Sequence, residues 1–372
     1  MSDDDVLNID QKDERNEISA LSKTGYQFLK ENRAYDAIEC FAKILLVAEN
    51  NNYALVGMGD AHRKLGNFRN AVIFYQRCLT YHPGNNYALF GLADCFKALS
   101  QFHKAIEIWE QYLVKDEENI TVLTRVADAY RKVRDYEHSK EVYQRVLDMD
   151  VQNPYAIIGL GHLHYDFREY KEALSYWERM LNGNEDKIDI RVLTSIGNCH
   201  RKLKTFDEGL VYFEKALKRE SQNFYALFGL ADCYRGLNQQ EYSLEYWNRI
   251  LKQDPRNKVI LTRAGDAYRK LGELETAVDY YQRALNLEFD IYAVLGLALV
   301  DKHMGKYDQA IVSLERLIQQ DPKSHRLYLE LADCRITNGE KREAMEVLEV
   351  FQGQGIRNNA VSEMLEKLKV GE

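Results

Sequence analysis

A small residue returns every thirty-four positions or so through this chain, and that register constrains the fold more than any other feature. Ala37, Ala71, Ala105, Ser139, Ala173, Gly209, Ser243, Ala277, Ala310 and Ala344 are separated by 34, 34, 34, 34, 36, 34, 34, 33 and 34 residues. A second small residue keeps step with it: Gly25, Gly59, Ala93, Ala127, Gly161, Gly197, Ala231, Gly265, Ala298 and Ala332. Four positions after each residue of the first series stands a large one: Phe41, Tyr75, Trp109, Tyr143, Trp177, Phe213, Trp247, Tyr281, Leu314 and Leu348. The apolar spacing within a unit is helical. Leu89, Leu92, Ala93 and Phe96 share one face, and Ala105, Ile108, Trp109 and Tyr112 do so on a second segment. Each unit therefore reads as two helices held close by small residues, with the large residue filling the space to the next pair. Such units cannot bury their apolar faces alone and must stack.

These residues carry a resemblance. Leu55, Gly59 and His62, followed by Ala71, Tyr75 and Pro83, make the unit similar to the tetratricopeptide repeat, a helix–turn–helix motif of about 34 residues. The resemblance covers residues 18 to about 352 as ten repeats, weakening at the end, where Asp301 and Arg335 replace the usual aromatic. It implies an all-α fold: a right-handed superhelical solenoid of helix–turn–helix repeats with a C-terminal capping helix. Residues 1–15 read as a mobile acidic N-terminus, 16–357 as the array and 358–372 as the cap. The extra two residues of the 36-residue interval fall in Asn182–Asp186, a loop by composition.

A longer period overlies the short one. Units with a Leu-Thr core (Leu123-Thr124, Leu193-Thr194, Leu261-Thr262) alternate with units carrying Asn-x-Tyr-Ala and a tryptophan. This predicts a lining that alternates along the array. Opposite the core face of the first helix runs a polar and aromatic stripe. Tyr87, Phe90 and Asp94 repeat as Tyr225, Phe228 and Asp232, with Tyr53 and Tyr155 in the same register. In the other type of unit the stripe holds Thr124 with Asp128, or Thr262 with Asp266. Arg125 and Arg263 stand next to the threonines and are expected to anchor acidic side chains or carbonyls of a partner. In tetratricopeptide folds, the resemblance implies, this stripe lines the concave surface where peptides bind. The partner it implies is a protein or extended peptide. Chaperone-binding members hold a C-terminal carboxylate with Lys and Asn, but Asp60, Asp94 and Asp128 stand in that Asn slot here, so no such clamp is expected.

Composition enters as exclusion. A net charge of -8 argues against general nucleic-acid binding, and no apolar run reaches the ~18–20 residues of a membrane span. The acidic start lacks the charge pattern of a secretory signal, and the chain reads as cytoplasmic. Four of the six cysteines share one slot of the repeat, which fits packing rather than disulfides or metal. His62, His164 and His200 occupy the repeat's aromatic slot, and His162 and His164 point to different helix faces. No catalytic constellation, metal site or cofactor motif is present in the sequence. The expected role is a non-enzymatic interaction scaffold. The alternatives are a self-assembling homo-oligomeric scaffold, through the less regular last units, and a regulatory subunit of a separate enzyme.

Overall fold

The computed structural model describes residues 3–181 and 188–370, and side chains within 15–181 and 188–369. Among the described residues there are twenty-one α-helices and no strand. The chain divides into two compact units, 1–185 and 186–372. The division falls at the 36-residue interval, and the loop expected at Asn182–Asp186 lies outside the described residues.

Unit 1 holds five helical hairpins: α1 (Asp3–Lys30) with α2 (Ala34–Val47), α3 (Asn52–Lys64) with α4 (Phe68–Tyr81), α5 (Asn86–Ala98) with α6 (Phe102–Leu113), α7 (Ile120–Lys132) with α8 (Tyr136–Met149), and α9 (Pro154–Asp166) with α10 (Tyr170–Leu181). Unit 2 holds five more: α11 (Ile190–Leu203) with α12 (Phe206–Arg219), α13 (Phe224–Gly236) with α14 (Gln240–Gln253), α15 (Lys258–Lys270) with α16 (Leu274–Leu285), α17 (Ile291–His303) with α18 (Tyr307–Gln320), and α19 (His325–Thr337) with α20 (Lys341–Gly353). The expected capping helix is α21 (Asn359–Val370), which lays Val361, Leu365 and Leu368 over Tyr328, Leu348 and Phe351.

Two local signals punctuate the hairpins. Several first helices begin at an asparagine cap: the Oδ1 atoms of Asn51, Asn85, Asn153 and Asn223 accept from the backbone N–H of the alanine three residues on, at 2.9–3.1 Å. That geometry explains Asn-x-Tyr-Ala, because the cap turns the alanine inward and leaves the tyrosine outside. Each hairpin then turns through one left-handed residue, glycine at Gly66, Gly272, Gly305 and Gly339 and a larger residue at Asn32, Ser100, Arg134, Arg168, Lys204 and Asn238.

The helical segment at the start is longer than expected. α1 begins at Asp3, within the stretch read as a mobile acidic N-terminus. Once the packed part of α1 has nucleated, each further residue adds a hydrogen bond without a new nucleation penalty.

The large residue of each hairpin is a wedge. Tyr75 is fully buried between its own first helix and the next one, and a Cβ on Gly59 or Gly91 would lie 2.5 or 2.3 Å from its ring. Phe41 is seated in the same way on Gly25 and Gly57, Phe213 on Gly197 and Gly229, and Tyr281 on Gly265 and Gly296. In two places the following helix carries arginine where these helices carry glycine, Arg125 after Trp109 and Arg263 after Trp247, and there the wedge is tryptophan. The longer period is thus a packing alternation. Phe41, Tyr75, Tyr143, Phe213 and Tyr281 each meet a glycine of the following helix, Trp109 and Trp247 meet a helix with arginine in that slot, and Trp177 rests on Gly161 with Ser195 in that slot of the following helix.

All six cysteines are free; five are buried and Cys40 is half-buried. Burial pushes the Cys78 thiol up to about 11 and Cys95 to about 12, which keeps them as packing groups. The histidines of the aromatic slot pack as expected. His62 stacks on Phe74 at 5.4 Å, His164 on Tyr176 at 5.3 Å and His200 on Tyr212 at 5.5 Å.

Candidate functional site

First helices pack directly on first helices within each unit: α1 on α3, α3 on α5 and α7 on α9, then α11 on α13 and α15 on α17. They form one row of the stack within each unit and carry the stripe identified in the sequence. At the start of unit 1 the row opens into a cavity of about 910 Å³. From α1 come Lys23, Tyr26, Gln27 and Lys30; from α3, Asn52, Tyr53, Val56 and Asp60; from α5, Asn86 and Tyr87, with the cap residue Asn85 beside them. The Tyr26 hydroxyl donates to the Tyr53 carbonyl at 3.0 Å and ties α1 to α3 across the floor. Tyr87 is 80% exposed, and Tyr53, Tyr155 and Tyr225 stand out in the same way. Tyr292, on α17, holds the same register and is exposed too. It is readable from the Tyr-Ala pair in Ile291–Val294, although its helix starts with aspartate instead of the asparagine cap.

The charges of the stripe form a ladder between repeats. Asp60 pairs with Arg63 at 3.3 Å, and Arg63 reaches Asp94 at 3.9 Å. Asp94 takes Arg125 at 2.5 Å, and the same guanidinium lies 4.8 Å from the centre of the Phe90 ring. Lys97 continues to Asp128 at 3.3 Å, and Asp128 holds Arg131 at 2.7 Å. Unit 2 repeats the arrangement around Asp232, which pairs with Arg201 at 2.6 Å, Arg235 at 2.8 Å and Arg263, while Arg263 lies 4.9 Å from the Phe228 ring. Asp266 accepts from the Tyr281 hydroxyl at 2.7 Å and faces Arg269 at 3.7 Å.

Geometry separates two aspartates that look alike in the sequence. Burial raises the Asp94 carboxyl above the ordinary range, against the pull of Arg125, Arg63 and Lys97. Burial acts on Asp232 in the same sense, but Arg263, Arg235 and Arg201 together outweigh it and hold the carboxyl low. The difference follows the partners: Arg235 and Arg201 stand 2.8 and 2.6 Å from Asp232, whereas Lys97 is turned to Asp128 and Arg63 stays 3.9 Å from Asp94.

The expected partner-binding residues therefore fall into four groups. Tyr53 and Tyr87 meet in one cavity, and Tyr155 and Tyr225 are exposed on the same row. Phe90, Asp94, Arg125 and Asp128, like Phe228, Arg263 and Asp266, are half-buried members of the ladder. Thr124 is half-buried and bonds back to its own helix at Ile120 (2.9 Å). Asp232 and Thr262 are each only 5% exposed, so they support the row from behind and present little surface. Arg125 and Arg263 do not stand ready for a partner carboxylate, because each already holds one from the preceding repeat. Spacing placed these arginines on the stripe but could not show which aspartate on the neighbouring helix would reach them. Lys23, Tyr26 and Lys30 were not among the expected residues. Their signal is weak, since the first repeat departs from the others and places Lys23 where most later repeats carry glycine or arginine.

His162 occupies the aspartate register of the ladder in the fifth repeat, edge-on to Trp177 at 5.2 Å. Burial, followed by the positive charge of Arg131, lowers its pKa to about 4, with Asp166 and Asp128 opposing and Lys132 adding to the shift. Between about 6.5 and about 4 the unfolded chain takes up a proton that the folded chain refuses. Stability therefore falls with falling pH across that window, by up to ~3 kcal/mol from this group. A His162→Gln variant, titrated with urea at several pH values, is expected to lose that part of the slope. An unchanged slope removes the assignment.

The register, the hairpins and the glycine-seated wedges now meet the sequence comparisons. Profiles described as "Tetratricopeptide repeat" match residues 56–119 and 125–184, 190–223 and 260–291, 225–257, and 303–352. The chain belongs to the tetratricopeptide repeat family. Tetratricopeptide folds are in general protein–protein interaction scaffolds. Among solved structures the chain is similar to a tetratricopeptide repeat protein from Parabacteroides merdae, with 15% identity over 77% of this chain and 99% of that one and a TM-score of 0.42. It is also similar to yeast Tom70, with 15% identity, 95% and 96% covered and a TM-score of 0.43. A third is YrrB, "a TPR protein with an unusual peptide-binding site", with 19% identity, 50% and 95% covered and a TM-score of 0.44. No curated protein matches the chain by sequence. None of the tetratricopeptide helices is long and apolar enough, among the described residues, to cross a membrane, and no group of described side chains is arranged to hold a metal ion.

Proposed function

We propose that this tetratricopeptide array is a non-enzymatic scaffold that docks a protein or extended peptide on its first-helix row, entered at the cavity over α1, α3 and α5. The observation that carries the reading is that cavity, about 910 Å³ in volume and lined by Tyr53 and Tyr87. Exposed tyrosines supply rigid contact area at small entropic cost, and the amides of Asn52, Asn85 and Asn86 suit a peptide backbone. The ladder behind them is paired within the protein, so it keeps the row in shape rather than meeting the ligand.

A photo-crosslinking amino acid placed at Tyr87 is expected to capture a partner in cell lysate. The same group at Tyr35, exposed on α2, serves as the control on a second helix. Adducts formed at Tyr35 and absent at Tyr87 would move the interface off the first-helix row.

A further inference from the structure

The cavity at the start of unit 1 carries charge that the rest of the row does not. Along α3, α5 and α7 every cation of the stripe has a carboxylate: Arg63 has Asp60, Lys97 has Asp128, Arg125 has Asp94, and Arg131 has Asp128. The two lysines that line the cavity from α1 are different. Lys23 and Lys30 are exposed, and among the described residues no carboxylate lies within ion-pair distance of either. The carboxylate that shares the cavity, Asp60, is turned to its own protein. It accepts from the Tyr75 hydroxyl at 2.7 Å and faces Arg63 at 3.3 Å. Glu31, next to Lys30, accepts from Gln27 at 2.8 Å and faces Arg33 at 3.7 Å. The uncompensated charge open to a ligand is therefore positive, in a chain whose net charge is -8.

We propose that this cavity selects an acidic extended peptide, held by side-chain carboxylates on Lys23 and Lys30 while its backbone and apolar side chains lie against Tyr53 and Tyr87. This rests on the groove reading above and names the class of partner. The two lysines stand seven residues apart on α1, about 10 Å along the helix axis. That distance spans roughly three residues of extended chain, so the motif carries two acidic residues about that far apart. Tyr26 and Gln27 lie between the lysines, and the Tyr26 hydroxyl is already engaged by the Tyr53 carbonyl. Positive charge therefore enters the site from the lysines alone among the described lining residues. Arg125 is excluded from this role because its guanidinium is held by Asp94.

The probe is a set of short fluorescein-labelled peptides of randomised sequence, sorted by net charge and read by anisotropy against the full chain. Acidic peptides are expected to bind best, and to weaken as salt rises. The double variant Lys23→Glu, Lys30→Glu is expected to lose about tenfold or more of that affinity. Lys23→Arg, Lys30→Arg should retain it, which separates charge from damage to the fold. A second double variant, Tyr53→Ala, Tyr87→Ala, tests the groove itself. Binding lost in the tyrosine variant but kept after charge reversal would overturn the acidic motif and leave the groove standing. Binding indifferent to both pairs would overturn both readings. Equal binding of basic and acidic peptides, or no binding of any class by the wild type, would also overturn the acidic motif.

Discussion

Trp247→Ala is expected to destabilise unit 2 by ~3–5 kcal/mol, the range for removing a large buried aromatic. Trp247 is completely buried, and it joins Leu227 and Ala231 of α13 to Ile260, Leu261 and Ala264 of α15 in one apolar cluster. Arg263 also rests on it, 5.6 Å from the ring centre, so the change removes the support of a ladder residue along with the wedge. Stacked repeats touch only their neighbours, and the loss is therefore felt at one junction. Urea unfolding followed by circular dichroism should show an earlier transition that the wild type lacks, and hydrogen exchange should localise it to α13–α16. Trp247→Phe keeps a ring at the junction and should cost about half as much. A cost below ~1 kcal/mol for the alanine variant would show that the junction closes without its wedge.

Asp232→Ala is expected to cost ~3 kcal/mol near neutral pH, because it leaves Arg201, Arg235 and Arg263 facing one another without a counter-charge. Its side chain is 5% exposed, so the pairing is not that of a surface ion pair. The pH dependence has a definite sign. The folded carboxyl is held below its ordinary value, so its contribution is complete above the unfolded pKa and is lost as pH falls through the folded one. Wild type and variant should therefore converge in acid. Asp94 runs the other way: its raised carboxyl gives up stability as pH rises from the unfolded value through the folded one. Asp94→Asn should accordingly cost less than Asp232→Asn, by urea unfolding at neutral pH. Equal costs would mean that the closer pairing of Asp232 with Arg235 and Arg201 contributes nothing.

Spacing alone was enough to read the hairpins, the closing helix and the stacking of the small and large residues. The reason is that each repeat must bury its own stripe against an identical neighbour, so Gly59, Ala71 and Tyr75 carry their contacts in their register. The packing role of His62, His164 and His200 was legible on the same ground, since they hold a slot that tyrosine holds elsewhere. The exposed row of Tyr53, Tyr87, Tyr155 and Tyr225 was legible too, because an asparagine cap followed by a buried alanine leaves the residue between them outside.

Tertiary structure decided what those residues face. Arg125 and Arg263 read as open anchors because helical periodicity reports the face of a residue and not the reach of a guanidinium across to the preceding repeat. Only the packed array shows Asp94 and Asp232 waiting there. Asp232 and Thr262 lie on the same stripe as exposed tyrosines yet are buried, since depth along a helix depends on how far the next hairpin covers it. The alternation of repeat types was visible in the sequence, but the packing at its junctions, glycine under Tyr75 or Phe213 against arginine beside Trp109 and Trp247, needs two adjacent hairpins in place. Lys23 and Lys30 gained their meaning in the same way, as the cations of the first-helix row at the start of unit 1 for which, among the described residues, folding supplies no carboxylate.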